Sequence, residues 1–446
     1  MSNILQLSNF GRKLTEKSGI VDLMNDLGEA VALRPDMLML GGGNPAAIPE
    51  MQALWRESAG AFLSNQPAFD KSLASYDSPQ GDPFFLDAVA SMFRDRFHLP
   101  IASKNVAVVS GAQLGMFCLL NLLAGAAPGG RKRKILIPAS PEYVGYADMG
   151  VEPDLFVACP AKITYPDPND QSTFKYAVDF EALENLVQTE DVAAVLVSRP
   201  TNPSGNVLTR DELSKLERLA ERIDAWLIID NAYGGPFPGI IEDEEELDSV
   251  FWGKRTVLTY SLSKIGLPGL RTGFIIAPSE IVERITSMTA IVGLANGSLG
   301  QRIAQPFFDT GKILDVSRTI VRPYYQNRRR FAVERLKDEF KKAGIDARIH
   351  KSEGSFFLLA WFPELQSGSR TLYRILKERG VLVIPCDEFF YGLSDAERSK
   401  RDSTFEASRT QMLRISFSAP EETVEKGFHM IAQITSELLK SEKSNS

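Results

Sequence analysis

The sequence has few of the residues that build disulfides, metal sites and catalytic triads. Among its 446 residues there are three cysteines and three histidines, and both sets are scattered along the chain. Scattered cysteines do not form a disulfide framework, and no spacing among them matches a metal site. We therefore expect no metal ion, and we expect these six residues to be structural rather than members of a Ser-His-Asp triad.

An excess of positive charge is also missing. Lysine plus arginine is 50 and aspartate plus glutamate is 57, which gives a net charge of −7. Nucleic-acid binding requires clustered positive charge, so no nucleic-acid partner is expected. Two short basic runs, 131–134 and 328–330, and the acidic run 242–248 are interpreted as solvated surface.

Long apolar runs are absent as well. The most apolar stretch, 106–127, contains Ser110, Gln113 and Asn121, and it predicts a buried strand followed by a buried helix rather than a membrane span. The first twenty residues lack the apolar core of a signal peptide. We therefore expect no membrane partner and a cytoplasmic location.

The middle of the chain alternates short β-branched runs with amphipathic helical patterns. The runs lie at 106–109, 135–137, 194–197, 226–229, 257–260 and 273–277. Among the helices, Thr209 and Glu212 form a capping-box pattern that predicts a helix to Arg222. Apolar strands that alternate with helices indicate an α/β fold, in which a mostly parallel sheet is covered by helices on both faces.

The pattern of predicted helices and strands changes after about residue 320. A long charged helix comes first, and short strands and a closing helix follow, which is an α+β pattern. A chain of this length is expected to divide into domains. We predict an N-terminal segment 1–55 that packs with the small domain, a large domain at 56–320 and a small C-terminal α+β domain at 321–446.

Polar or glycine-containing motifs follow five of the predicted strands directly. They are SGAQ at 110–113, PASPEY at 138–143, SRPTNPSG at 198–205, DNAYGG at 230–235 and SLSK at 261–264. Ligands of open α/β sheets bind at the carboxyl ends of the strands. The five strands are therefore predicted to contribute to one site.

These residue types fit a site for pyridoxal 5′-phosphate (PLP). A lysine amine, here Lys264, forms the imine with this cofactor. A buried carboxylate, here Asp230, keeps the pyridine nitrogen protonated, so that the ring accepts electrons. The turn Gly111-Ala112-Gln113 opens a helix whose N–H groups suit a phosphate. Further candidates for contacts with the ring and the phosphate are Asn202, Tyr233, Ser261, Ser263 and Arg271.

Six segments carry a resemblance to a known family. They are LMLGGGNPAAIPEM at 38–51, SYDSPQG at 75–81, PEYVGYADMG at 141–150, SRPTNPSGNV at 198–207, DNAYGGPFPGII at 230–241 and SLSKIGLPGLR at 261–271. On these segments the chain resembles the fold-type I, aspartate-aminotransferase-like PLP enzymes of the class I/II aminotransferases. The resemblance covers nearly the full length of the chain.

The resemblance implies roles for residues around the cofactor. Lys264 matches the Schiff-base lysine, Asp230 matches the partner of the pyridine nitrogen, and Tyr233 and Asn202 match donors to the ring O3′. The matches to phosphate binders are Gly111, Ala112, Gln113, Ser261, Ser263 and Arg271. Tyr143 lies where an aromatic side chain stacks on the ring, and Tyr146 is the alternative for that position.

The resemblance also implies how substrate and a second subunit are bound. Arg414 matches the arginine that holds the substrate α-carboxylate, with Asn202 beside it. Gly43 and Asn44 lie where the N-terminal segment closes over the substrate. Tyr76 matches a tyrosine that reaches the phosphate of the neighbouring subunit, so a homodimer with shared active sites is implied.

The expected activity is a ping-pong transamination in which Lys264, Asp230 and Tyr233 are the catalytic residues. Overall likeness favours a neutral aliphatic L-amino acid, valine or alanine, as donor and a 2-oxo acid, pyruvate or 2-oxoisovalerate, as acceptor. An alternative is another fold-type I PLP reaction on an amino acid, carried out by a β-lyase, a decarboxylase or a cyclase, because these chemistries share the same cofactor site.

Overall fold

The computed structural model describes residues 5–15, 18–34, 36–394 and 404–444. The helices are α1 (Asn9–Thr15), α2 (Gly19–Leu33), α3 (Pro49–Ser64), α4 (Gln66–Ala74), α5 (Pro83–Phe97), α6 (Ala112–Leu123), α7 (Val144–Ala147), α8 (Phe180–Thr189), α9 (Arg210–Arg222), α10 (Ser279–Gly293), α11 (Ser298–Asp309), α12 (Lys312–Val316), α13 (Arg322–Ala343), α14 (Ser369–Glu378), α15 (Thr404–Arg409) and α16 (Glu421–Ser444). A π-helical turn, Ser317–Val321, joins α12 to α13. Within the described ranges, none of the helices has the length and apolarity needed to cross a membrane.

The strands form one large sheet, a second sheet and a short pair. In chain order they are β1 (Leu38–Met39), β2 (Val106–Val109), β3 (Gly125–Ala126), β4 (Lys132–Ser140), β5 (Phe156–Pro160), β6 (Lys162–Thr164), β7 (Thr173–Ala177), β8 (Val192–Ser198), β9 (Trp226–Asp230), β10 (Thr256–Ser261), β11 (Gly273–Ile276), β12 (Arg348–His350), β13 (Phe357–Trp361), β14 (Val381–Leu382), β15 (Ile384–Pro385) and β16 (Met412–Ser416).

The large sheet has the strand order β2-β11-β10-β9-β8-β4-β3, with β5 also paired to β4. Neighbours from β10 through β9, β8 and β4 to β5 run parallel, while β11 is antiparallel to both β10 and β2. Successive residues of β9 enter opposite cores: Leu227 packs in the core that contains α5 and α9, and Ile228 packs in the core that contains α6 and α10. The sheet is thus covered on both faces, which confirms the predicted α/β class.

The second sheet has the order β15-β16-β13-β12-β7-β6. It combines strands from beyond residue 320 with β6 and β7, because β7 pairs in parallel with β12. The N-terminal strand β1 pairs in parallel with β14, which joins the start of the chain to its C-terminal third. The domain boundaries at 55/56 and 320/321 stay a prediction.

Thr209 and Glu212 form the predicted capping box at the start of α9. The Thr209 side chain accepts from the Glu212 N–H, and the Glu212 side chain accepts from the Thr209 N–H.

The interpretation of the basic run 328–330 and the acidic run 242–248 as solvated was wrong in part. Arg329 is 7% exposed and pairs with Glu242, and Glu246 is 8% exposed and forms a two-bond ion pair with Arg199. An oppositely charged partner offsets the desolvation of each buried charge. Each partner comes from a distant part of the chain, so the local composition of the runs did not predict the burial.

Candidate active site

A cavity of about 210 Å³ lies at the carboxyl ends of β2, β10, β9, β8 and β4. The sequence-predicted residues that line it are Gly43, Ala112, Gln113, Tyr143, Asn202, Asp230, Tyr233, Ser261, Ser263, Lys264, Arg271 and Arg414. Other lining residues are Ile20, Leu23, Met24, Met116, Tyr146, Ser198 and Ala232. Asn44, Tyr76 and Gly111 are not among the lining residues, and Tyr76 is 84% exposed.

Lys264 enters the cavity from the turn that follows β10. A short 3₁₀ turn, Ser263–Ile265, begins two residues after the strand ends, and the Lys264 Nζ donates a hydrogen bond of 2.7 Å to the Gly43 carbonyl oxygen. Burial, together with the positive charges of Arg414 and Arg271, lowers the pKa of Lys264 to about 8. A substantial fraction of the amine is therefore neutral in mildly alkaline solution, which is the form that acts as nucleophile and base.

Asp230 is the last residue of β9 and is 6% exposed. Its Oδ1 accepts a hydrogen bond of 2.9 Å from the Ala232 N–H, and its Oδ2 accepts one from the Tyr146 hydroxyl. Burial raises the pKa of Asp230 above its ordinary value. Among the described residues, no cation forms an ion pair with Asp230, so the site offers a buried carboxylate to a cationic atom of a ligand.

A group of hydrogen-bond donors lies where α6 begins. Gly111, with φ of +83°, precedes the first helical residue, Ala112, and the first N–H groups of a helix have no intrahelical acceptor. A Cβ atom at position 111 would lie 2.2 Å from Arg271 Nη2, so a side chain here would displace the guanidinium from its present position. Ser261 and Ser263 line the same cavity. Helix N–H groups, an arginine and two hydroxyls are the donors that a phosphate needs.

Arg414 comes from β16 in the second sheet and is 2% exposed. Its Nη1 donates to Asn202 Oδ1 at 2.9 Å, its Nη2 donates to the Gly41 carbonyl oxygen at 2.6 Å, and its guanidinium lies 4.2 Å from the centroid of the Phe357 ring. Burial lowers the pKa of Arg414 below its ordinary value. Its Nε is buried without a hydrogen-bond partner. In the described part of the chain no carboxylate pairs with this cation, which suits it to the carboxylate of a substrate.

Tyr143 and Tyr146 occupy different positions, although sequence reasoning left both open for the ring-stacking role. Tyr146 is 1% exposed and its hydroxyl is committed to Asp230. Tyr143 is half-buried at the cavity, and its ring meets that of Tyr146 edge to face with centroids 5.1 Å apart. The Tyr146 hydroxyl is thus bonded to the Asp230 carboxylate, while both rings line the cavity.

Sequence reasoning missed the contribution of α2 to the cavity. Ile20, Leu23 and Met24 are spaced so that they share one face of this helix, and all three line the cavity. The helix is joined to α14 by an ion pair of 2.7 Å between Asp26 and Lys377. The apolar spacing was visible in the sequence, but nothing in it indicated which surface this face covers.

Comparisons with known proteins agree with this arrangement. Residues 29–431 match the family described as aminotransferase class I and II. The chain is 40% identical over 429 residues to the valine–pyruvate aminotransferase of Escherichia coli (strain K12), a match that covers 96% of this chain and 98% of that protein. The crystal structure of valine–pyruvate aminotransferase from Salmonella typhimurium LT2 superposes with a TM-score of 0.80 at 36% identity, covering 95% of this chain and 100% of that chain.

A second crystal structure gives a TM-score of 0.91 at 38% identity, and the match covers 98% of this chain and 100% of that chain. That protein is from Psychrobacter arcticum 273-4 and is described as an amino-acid aminotransferase. The chain therefore belongs to the class I and II aminotransferases, and it is a transaminase. This membership confirms the predicted family and the fold-type I class, and enzymes of this family depend on PLP.

Proposed function

We propose that this transaminase binds PLP through Lys264 and transfers an amino group between a neutral aliphatic L-amino acid and a 2-oxo acid, with valine and pyruvate as the pair. The observation that carries the proposal is the meeting of Lys264, Asp230 and Arg414 in one cavity. They are an amine of lowered pKa, a buried carboxylate and a buried guanidinium without a carboxylate partner among the described residues. The three groups suit an imine, a pyridinium nitrogen and an α-carboxylate in that order.

The donor set fits the whole cofactor. Arg271 and the N–H groups of Ala112 and Gln113 would hold the phosphate, together with Gly111, Ser261 and Ser263. Asn202 uses its carbonyl oxygen to accept from Arg414, which leaves its amide nitrogen as a donor to the ring oxygen O3′ beside the Tyr233 hydroxyl. Tyr143 would stack on the ring. Asp230 would pair with the pyridine nitrogen, and that cation would offset the cost of burying the carboxylate.

Lys264 is the residue that would transfer the proton. Bound PLP supplies an electron sink that makes the Cα–H of an attached amino acid acidic. The lowered pKa of Lys264 lets its Nζ take up that proton and later give it back. Arg414 would bind the α-carboxylate through its guanidinium and so fix the orientation of the amino acid relative to Nζ. Asp230, whose Oδ2 accepts a hydrogen bond from the Tyr146 hydroxyl, would hold the pyridine nitrogen in its protonated form.

The preference for a neutral side chain follows from the cavity wall. Three cations line it among the described residues, Lys264, Arg271 and Arg414, and each already has a role in the proposal. None is left to bind an acidic side chain. The face of α2 formed by Ile20 and Leu23, together with Met24, is apolar instead. The likeness to relatives that are valine–pyruvate aminotransferases supports the same choice.

We further propose a homodimer with shared sites. Tyr76 lies outside the cavity of its own chain and is 84% exposed. Other large apolar side chains are similarly exposed, among them Phe84 at 61%, Ile291 at 86% and Leu294 at 62%. Burying such side chains against a second copy is favourable. In the dimer, Tyr76 would reach the phosphate bound by the partner subunit, with Asn44 near the substrate of its own site.

The test of the cofactor assignment is reconstitution followed by chemical trapping. PLP is added to the cofactor-free protein, the visible absorbance band is recorded, and the imine is reduced with borohydride before peptide mass analysis. We expect the band, and the added mass on the peptide that contains Lys264. The Lys264→Ala protein should give neither, and a Lys426→Ala control should give both, because Lys426 is on the exposed face of α16. A missing band, or modification of another lysine, would overturn the assignment.

A further inference from the structure

Glu142 is a buried carboxyl group directly behind the cavity wall. It follows β4, is 3% exposed, and its backbone N–H donates to the Phe389 carbonyl oxygen at 3.0 Å. Its Oε2 accepts from the Ser198 N–H at 2.9 Å, and its Oε1 accepts from the Tyr143 N–H at 2.8 Å and from the Ser198 hydroxyl. Three donors from two neighbouring strand ends therefore converge on one carboxyl group.

We propose that Glu142 and Ser198 form a positioning pair, in which the Glu142 carboxyl holds Tyr143 and Ser198 at the cavity wall and changes the donor–acceptor state of the Ser198 hydroxyl. The proposal rests on the proposed function, because the wall that it concerns is the one assigned to PLP. Neither residue is given a role in proton transfer at the substrate.

Glu142 contacts residues from several parts of the site. β4 and β8 are adjacent in the sheet, and the Glu142 carboxyl joins the residues that follow them, Tyr143 and Ser198. Both of these residues line the cavity. Through its backbone, Glu142 also contacts Phe389, whose ring centroid lies 5.6 Å from the Arg414 guanidinium. The carboxyl group thus joins two residues of the cavity wall, and the backbone of the same residue contacts the segment that contains Phe389.

The same group has two protonation states at neutral pH. Burial raises the pKa of Glu142 to about 7, the hydrogen bonds from Ser198 and Tyr143 oppose this rise, and the charge of Asp230 adds to it. The other titratable groups that face it are the hydroxyls of Tyr146 and Tyr391.

Each state of Glu142 leaves Ser198 with a different function. When Glu142 is ionised, the Ser198 hydroxyl donates to it and an oxygen lone pair remains for the cavity. When Glu142 is protonated, it donates to Ser198, and the Ser198 proton is free for the cavity. Hydrogen bonds to an ionised acceptor are the stronger ones, so the wall is held more firmly above the pKa of Glu142 than below it.

The experiment measures PLP affinity of the cofactor-free protein against pH. Dissociation constants from fluorescence titration are compared for the unaltered protein and Glu142→Gln across about pH 6 to 8.5, the range that brackets the titration. Titration of PLP itself is common to both proteins and cancels in their ratio. We expect equal affinity at the acidic end, where Glu142 is protonated and resembles glutamine. At the alkaline end the variant should bind about three- to tenfold more weakly, with a midpoint near neutrality.

A matched control uses a glutamate of similar exposure that lies away from the cavity. Glu339 on α13 is 5% exposed and bonds to Lys342 and His429. Glu339→Gln should bind PLP like the unaltered protein at every pH. A ratio for Glu142→Gln that does not change with pH would overturn the proposal. Failure of the unaltered protein to bind PLP would overturn the proposed function as well, so the two failures are distinguishable.

A second variant keeps the test decisive if Glu142→Gln does not fold. Ser198→Ala retains the carboxyl group and removes one of its three donors, which is a contact that lowers the pKa of Glu142. The midpoint of the affinity profile should then move to higher pH than in the unaltered protein. A midpoint that stays in place would show that Ser198 and Glu142 do not titrate as a pair, and would overturn the proposal.

Discussion

At the scale of the residue, Lys264 shows that the site is built at a cost in stability. The surroundings of this amine lower its pKa to about 8, from an ordinary value of 10.5. Between these two pH values the unfolded chain binds a proton that the folded chain does not bind. The free energy of unfolding therefore rises with pH across this window, and the cost of the lysine is fully present below about pH 8.

We predict that Lys264→Met stabilises the cofactor-free protein, because methionine has a similar length and no charge to desolvate. The free energy of unfolding at about pH 7 should rise by roughly 1–3 kcal/mol, and the gain should shrink as the pH approaches 10. Urea denaturation at several pH values measures it. Lys426→Met, at an exposed position on α16, is the control and should bring no gain. A Lys264→Met protein less stable than the parent at neutral pH would contradict the predicted environment.

Replacing Arg414 should weaken the binding of substrates without weakening the binding of the cofactor. Its planar guanidinium is fixed by Asn202, Gly41 and Phe357. Lysine has no second parallel donor and no planar face to stack on Phe357. We predict that Arg414→Lys raises KM for amino acid and oxo acid by about 10- to 100-fold, while PLP affinity changes little. Steady-state kinetics and a PLP titration measure the two effects separately.

Arg348 provides a control for this substitution. It lies on β12, and its guanidinium stacks 4.6 Å from the Trp361 ring, but it does not line the cavity. Arg348→Lys should therefore leave both KM values unchanged. Equal effects of the two substitutions on KM would mean that Arg414 acts through packing and not through the substrate carboxylate.

At the scale of the element, the turns after the strands decide what the cavity binds. Gly111 caps α6 with a positive φ and leaves room for Arg271. We predict that Gly111→Ala displaces Arg271, so affinity for PLP should fall by at least about tenfold. Affinity for pyridoxal, which lacks the phosphate, should fall much less. Parallel titrations with the two compounds measure the difference.

Gly129 is a matched control for backbone strain. Its φ of +86° is close to that of Gly111, and a Cβ atom there would meet nothing within 4 Å. Gly129→Ala should cost a similar amount of stability from the backbone and leave the affinity for PLP intact. If Gly111→Ala weakened PLP and pyridoxal equally, the assignment of this turn to the phosphate would be wrong.

The strand ends that contribute to the cavity could be predicted from the sequence, but the contribution of α2 and many of the contacts between elements could not. The motifs that contain Asn202, Asp230 and Lys264 each follow an apolar run, and the geometry of parallel strands brings such ends to one edge. Contacts of Glu142 with Ser198, and of Tyr146 with Asp230, depend on which strands are neighbours in the sheet. Strand order is set by packing across the whole sheet, which no local pattern encodes.

Buried charges were the least predictable feature for the same reason. Arg329 and Glu246 belong to charged runs whose local composition indicates solvent exposure. Their burial depends on Glu242 and Arg199, which are distant from them in sequence. A charge is buried when a partner offsets its desolvation, and the partner is known only from the tertiary structure.

At the scale of the whole molecule, the site is assembled across both sheets. Arg414 lies on β16 of the second sheet, while Asp230 ends β9 and Lys264 follows β10 in the large sheet. The proposed dimer extends this division to a second subunit. We predict that a mixed dimer of Lys264→Ala and Tyr76→Phe chains, purified through two different tags, has about half the activity of the unaltered dimer at limiting PLP. One of its two sites would have both Lys264 and the hydroxyl of the partner's Tyr76.

The two parent homodimers serve as controls, because each lacks one of the two groups in both sites. Sedimentation at twice the 49.3 kDa chain mass is the accompanying expectation for the unaltered protein. A mixed dimer that is no more active at limiting PLP than the Tyr76→Phe homodimer would place Tyr76 in the wrong subunit or outside the site.

The most direct test of the central claim is an absorbance record of the PLP-loaded protein during two successive additions. L-valine is added first, and pyruvate is added after excess valine has been removed. Valine should convert the visible cofactor band to that of the pyridoxamine form with release of a 2-oxo acid, and pyruvate should restore the original band. A band that does not respond to valine, or ammonia released in place of a retained amino group, would contradict that claim.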